Sequence, residues 1–262
     1  MKSSIYSLFI AFFLFIGCKQ NTETPSNENS MVADQTQQIL FIVSNAHFYG
    51  DSDIGASNHF SEIVQAYEVF KKAGYVIDFV SPEGGAIPIG YISTSDTLQK
   101  KYIYDNDFMD ALETTKKPNE IKASDYKAVY YCGGGAAMFG VPENESIQKI
   151  VMELYEQHNG IVSAICHGTA GIANLKTKDG EYLFAGKKIN GFPDIFENKD
   201  AAYYKTFPFS IQETIKERGG DFQFSEEGWD GFMVSDGRLI SGQDPTAAGL
   251  VAEKVVETLQ QL

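Results

Sequence analysis

Hydrophobic positions along this chain follow two alternating periods. Apolar runs at residues 39–44 (ILFIVS) and 161–165 read as buried strands, and 75–81 and 128–132 (AVYYC) as two further strands. Between the first two, residues 60–73 carry helical spacing. At about 100° per residue, Ile63, Ala66, Tyr67, Val69, Phe70 and Ala73 share one arc, and Gln65, Glu68, Lys71 and Lys72 share the other. Gly74 ends that helix. Glu62 falls inside the apolar arc, where it is either a favourable first-turn charge or a partly desolvated acid of raised pKa. Further helices are predicted at 145–157, at 208–218 and from 244 or 245 to 262. Asp236-Gly237 between apolar runs at 232–235 and 238–241 predicts a hairpin. Strands alternating with helices in this way predict a βαβ-built α/β domain with a mostly parallel sheet.

The alternation lapses in two places. Residues 82–126 hold Gly84-Gly85, Pro88, Gly90 and many Ser, Thr and Asp, with one short helix around 108–113, and read as an insertion covering the active-site edge. At the start, Lys2 precedes an apolar run at 5–16 of signal-peptide length that ends in Leu14-Phe15-Ile16-Gly17-Cys18. This resembles a bacterial lipobox, with Phe15 where leucine is usual. Residues 19–38 have little to bury and suit a disordered tether. The predicted organisation is a signal peptide over 1–17, a lipidated Cys18 with its tether over 18–38, and one folded domain over 39–262. It belongs to a lipoprotein of the bacterial cell envelope, periplasmic or surface-exposed, held to the membrane only by its lipid.

The chain has 262 residues, 43% of them hydrophobic, enough for a sizeable core. A formal net charge of −14 argues against nucleic acid as a partner and against electrostatic adhesion to anionic lipid. Three cysteines, Cys18, Cys132 and Cys166, show no paired spacing and predict neither a disulfide framework nor a zinc site. Four histidines lack ligand-like spacing, so no metal is expected, although His47 and His59 lie close to the predicted active-site edge and stay open as ligands.

Chemistry concentrates in residues 160–171 (GIVSAICHGTAG), where Cys166 falls at the corner between a buried strand and a tight turn into a helix. A side chain at such a corner projects from the carboxyl edge of a parallel sheet, and a helix N-terminus behind it favours the thiolate, which is the nucleophile. Adjacent residues do not normally face each other on a helix, so the turn decides whether His167 reaches Cys166. The glycines at 133–135, directly after a strand, let backbone amides approach a ligand as an oxyanion pocket requires. Cys132 reads as a strand-end packing residue, with a redox role beside Cys166 as the minor alternative.

The Glu62 helix leading into FKKAGYVIDFVS, the AICHG turn, the run GWDGFMVSDGRLISGQDP from Gly228 and the long insertion together resemble the DJ-1/PfpI superfamily, and more closely its heat-shock chaperone and glyoxalase III branch. The resemblance spans almost all of the chain after the tether. It implies a flavodoxin-like three-layer α/β sandwich with a nucleophile elbow and an inserted cap segment. It also implies Cys166 as nucleophile, Glu62 as its acidic partner, His167 as neighbouring base, and a third acid at Asp194 or Glu197, with Glu197 the better match. Gly134, Gly135 and the His167 amide would hold an oxyanion. Relatives in this branch often carry Gly-His-Gly where this chain has Gly134-Gly135-Ala136, which changes the polarity of the pocket. The implied activity is a glyoxalase III or deglycase, converting small 2-oxoaldehydes such as methylglyoxal, or glycated protein, to 2-hydroxy acids without cofactor, glutathione or metal. A lyase of the hydro-lyase type is the first choice and a hydrolase the second. The alternatives are a stress chaperone holding unfolded clients and a cysteine peptidase or amidase; the resemblance also allows a homodimer.

Overall fold

Alternate residues of the first strand face opposite sides of one sheet, and both sides are covered. In a computed structural model, which describes residues 37–262, β1 (Gln38–Ile42) buries Leu40 and Ile42 in one apolar cluster and Ile39 and Phe41 in another. The stretches expected to form a signal peptide, a lipidated Cys18 and nearly all of a tether lie outside the described residues. The sheet begins at Gln38, one residue inside the stretch expected to be tether.

Six strands form the main sheet: β1, β2 (Val76–Val80), β3 (Tyr126–Tyr131), β4 (Ile161–Ile165), β5 (Met233–Asp236) and β6 (Leu239–Gly242). Their order is β2-β1-β3-β4-β6-β5, all parallel except β5, which pairs antiparallel with β6 through the expected Asp236-Gly237 hairpin. This is the doubly wound arrangement expected of a flavodoxin-like sandwich. One face packs on the helix Glu145–Gln157 through Ile147, Val151 and Leu154; the other packs on α1 (Phe60–Lys72) and the C-terminal helix Ala248–Leu259 through Ile63, Phe70, Val251 and Val255. Such ligand crevices open at the carboxyl ends of the strands, and here those of β1, β3, β4 and β6 share one edge.

The insertion behaves differently from expectation. It carries two helices, Thr97–Ile103 and Asn106–Glu113, begun by the carboxylates of Asp96 and Asp105, which accept from the Gln99 and Phe108 amides. Tyr102 and Phe108 are buried against Tyr67 of α1, with ring centroids 5.2 and 4.8 Å away. The insertion thus thickens the α1 layer beside the outer strand β2, and its contribution to the site comes from Tyr91. The helix at 97–103 escapes the sequence pattern because so short a segment is stabilised by tertiary packing rather than by its own periodicity.

Candidate active site

Cys166 follows directly on β4, and its backbone takes φ +56°, in the left-handed region that ordinary side chains avoid. The residues after it form a 3-10 segment, Cys166–Ile172, in place of the expected helix. A short 3-10 turn offers little macrodipole, and the expected lowering of the thiol pKa does not occur. Burial, and next the Glu62 carboxylate, push Cys166 well above its ordinary value; the His167 N–H directed at the sulfur works the other way. The thiol is 3% exposed.

The left-handed turn has a second effect: it brings the neighbouring side chain round to the sulfur. His167 Nδ1 lies 3.3 Å from Cys166 Sγ, and its Nε2 lies 2.9 Å from Glu197 Oε1. The imidazole is clamped by Phe192, stacked at 4.7 Å, and by Phe207 edge-on at 5.6 Å. Of the two candidate acids, Glu197 is the one in contact with the imidazole. Asp194 faces away, accepting from Ser210 Oγ at 2.7 Å and Lys199 Nζ at 3.0 Å, while Glu197 reaches the histidine. The result is a relay from thiol to imidazole to carboxylate, the arrangement that activates a cysteine nucleophile.

Glu62 arrives from the first turn of α1 and is fully buried. Desolvation raises its pKa well above the ordinary 4.5, which favours the neutral carboxylic acid over the carboxylate. Of the two readings open in the sequence, the desolvated acid is the one realised. The Gly133 N–H and the Cys166 thiol are directed at this carboxyl, yet neither oxygen makes a hydrogen bond of ordinary length among the described residues. Space here is made by Gly133. A Cβ at that position would collide with Glu62 Oε2 and stand 2.9 Å from Cys166 Cβ, so the glycine is what lets acid and thiol meet. Gly134, at φ +98°, then passes so close that a Cβ would lie 2.6 Å from the His59 nitrogen.

Cys166, His167 and Glu197 open, with Gly134 and Gly135, into a cavity of about 500 Å³ walled by aromatic rings, while Glu62 is buried behind Cys166 and is not part of the lining. Cys132 is buried, and burial, then Glu62, push its thiol up, which leaves it inert packing at the strand end. His47 is exposed and away from the lining, whereas His59 is on it, stacked against Tyr91 at 4.4 Å. Burial and the nearby His167 hold the His59 pKa down at about 4, so its ring is neutral. Among the described residues no three His, Cys, Asp or Glu side chains are grouped to share a metal ion.

Several lining residues carry no signal in the sequence. Tyr49 fills the space beside Gly135, where a Cβ would strike its hydroxyl, and it packs on Tyr203 and Phe207. Tyr49, Tyr91, Phe192, Tyr203 and Phe207 come from loops or 3-10 turns without periodicity. The one available hint is that aromatic residues are unusually dense between 192 and 209.

Residues 57–258 match the DJ-1/PfpI family. The chain is 34% identical over 208 residues to the protein named Glyoxalase 3 of Candida albicans, a match covering 76% of this chain and 88% of that one. It is 29% identical over 211 residues to the glutathione-independent glyoxalase HSP31 of Saccharomyces cerevisiae, covering 76% and 87%. The crystal structure of glyoxalase III from Candida albicans superposes with a TM-score of 0.75 at 29% identity, covering 84% of this chain and 96% of that one.

Proposed function

This chain belongs to the DJ-1/PfpI family and its glyoxalase III branch, and we propose that it converts 2-oxoaldehydes to 2-hydroxy acids without glutathione or any cofactor. The observation that carries the reading is the pairing of a thiol–imidazole–carboxylate relay with a neutral buried acid on the same sulfur. The names of the relatives supply the reaction class.

The chemistry closes on these four side chains. As the Cys166 sulfur bonds to the aldehyde carbon, its proton passes to His167 and Glu62 protonates the aldehyde oxygen, giving a hemithioacetal, a carboxylate and an imidazolium. Glu62, now a charge in an apolar site, is a strong base. It removes the proton on the first carbon while His167 protonates the second carbonyl, which leaves an enediol. Glu62 then delivers its proton to the second carbon, His167 takes the proton from the first hydroxyl, and a thioester remains. Water attacks the thioester, giving its proton to Glu62; His167 returns a proton to the departing sulfur, and the 2-hydroxy acid is released. The Gly135 and His167 amides stabilise the oxyanion of each tetrahedral state. A thiol buried in a pocket also suits a small aldehyde better than an extended peptide, which supports this reading over peptidase activity.

Purified protein is expected to form lactate from methylglyoxal in buffer without thiols or metal, followed by proton NMR. Absence of any 2-hydroxy acid product from short 2-oxoaldehydes would sink the proposal. Glu197→Gln is expected to lower kcat/KM by roughly one to two orders of magnitude less than loss of the nucleophile. Glu197 orients His167 and touches no reacting atom. A loss equal to that of Cys166→Ala would mean that Glu197 takes part in the chemistry itself.

A further inference from the structure

The cavity is much larger than the smallest substrate the reaction needs. Methylglyoxal has five non-hydrogen atoms and fills roughly 150 Å³ on the scale of about 30 Å³ per liquid water, against about 500 Å³ here. Cavities of this size hold ligands several times larger.

Two rings on its lining are also left uncovered. Tyr91 is 54% exposed and Trp229 is 56% exposed, yet both line the cavity. Each sits in left-handed backbone, at φ +58° and +51°, a conformation that bulky residues keep only when their surroundings impose it. For Trp229 the surroundings are explicit. Its N–H donates to the buried Asp244 carboxylate at 2.8 Å, and its ring leans on Phe196 at 5.2 Å. Tyr91 is held flat on His59, their ring planes 6° apart. The strand order sets them apart: Tyr91 stacks on His59, whose backbone N–H donates to the Gly133 carbonyl just after β3, and Trp229 precedes β5, with the end of β4 and its Cys166 between in the sheet order. A ring needed only for the core would be covered. These two are fixed, strained and open to the cavity. Charge narrows the ligand further, because among the described residues no Lys or Arg lines the cavity to pair with a carboxylate or phosphate on the substrate.

Resting on the glyoxalase reading, we propose that this site selects 2-oxoaldehydes bearing an aromatic or bulky uncharged substituent, which packs against Trp229 and Tyr91 while the aldehyde lies at Cys166. Face-to-edge and stacked ring pairs favour such a substituent over a methyl group.

Trp229 is the single tryptophan of the chain, so its fluorescence reports on the site directly. Titrating Cys166→Ala protein with phenacyl alcohol, the unreactive neutral analogue of phenylglyoxal, is expected to quench that fluorescence saturably, and hydroxyacetone at equal concentration is not. In turnover, Trp229→Ala is expected to lower kcat/KM for phenylglyoxal about tenfold more than for methylglyoxal, and Trp229→Phe, which keeps a ring, to restore most of the difference. Circular dichroism checks the fold of each variant. Absence of quenching by phenacyl alcohol, or a phenylglyoxal-to-methylglyoxal ratio unchanged in Trp229→Ala, overturns the proposal. Wild-type turnover of methylglyoxal but not phenylglyoxal also overturns it and leaves the glyoxalase reading standing. If neither aldehyde is turned over, the glyoxalase reading falls and the fluorescence titration still decides what the cavity binds.

Discussion

Cys166→Ala is expected to lose 2-oxoaldehyde turnover by about three orders of magnitude or more while the fold persists. The thiol forms the bond that holds the substrate through the proton transfers and leaves as the thioester is hydrolysed, so nothing else in the cavity can replace it. Structurally the change is mild. Alanine keeps the Cβ and the left-handed backbone at φ +56°, and it deletes a single buried atom. The measurement is steady-state kinetics with methylglyoxal, alongside a thermal melt. Retention of activity in a folded variant would exclude covalent catalysis through this cysteine and make suppression of client aggregation the next assay.

Glu62→Gln is expected to lower kcat by about 10²–10⁴-fold, because glutamine keeps the shape of the acid without a proton to give and take. The same variant carries a stability signature that catalysis does not. Burial raises the Glu62 pKa in the folded protein well above 4.5, and the unfolded chain has the ordinary value. Between the two values the native state holds a proton that the unfolded state has released, so this group makes stability fall as pH rises through that window. Below the unfolded pKa both states are protonated and the effect vanishes. Glutamine does not titrate. Relative to wild type, the melting temperature of Glu62→Gln is therefore expected to rise steadily from about pH 5 upward. Groups such as Glu68, held down at about 2 by Lys101 and Tyr102, are common to both proteins and cancel in the difference. A melting difference that stays constant from pH 5 to 8 would mean that Glu62 is ionised in the resting protein. The assigned role as proton donor would then fail.

Much of the architecture was legible because periodicity is a local property. The 145–157 helix was expected at the bounds it occupies, and the strands at 39–44, 75–81, 128–132 and 161–165 were placed to within a few residues. The three inner ones bury both faces between helical layers, which only apolar residues can do, while the edge strand Val76–Val80 leaves Val76 exposed. Ala73 shares the apolar arc of α1 by spacing but lies just beyond its last residue, Lys72, and is exposed. Glu62 stood out for the complementary reason: a carboxylate inside an apolar arc breaks the pattern.

What the sequence by itself determined is thus the succession of strands and helices, the corner that displays Cys166, and the acid set against the core. Only the tertiary structure decided which side chains meet. His167 reaches the sulfur because a left-handed residue reverses the chain within one step, and backbone sign is not encoded in hydrophobic spacing. Glu197 rather than Asp194 completes the relay because of how residues 193–197 turn beneath the histidine, thirty residues away along the chain. The thiol pKa moved opposite to the local expectation, since burial and Glu62, brought in by a separate helix, outweigh a turn too short to carry a dipole. The aromatic walls at Tyr49, Tyr91, Phe207 and Trp229 come from four separate segments. Periodicity reports a residue's relation to its own element, whereas a cavity is a relation among elements, and that exists only once the sheet has drawn their ends to one edge.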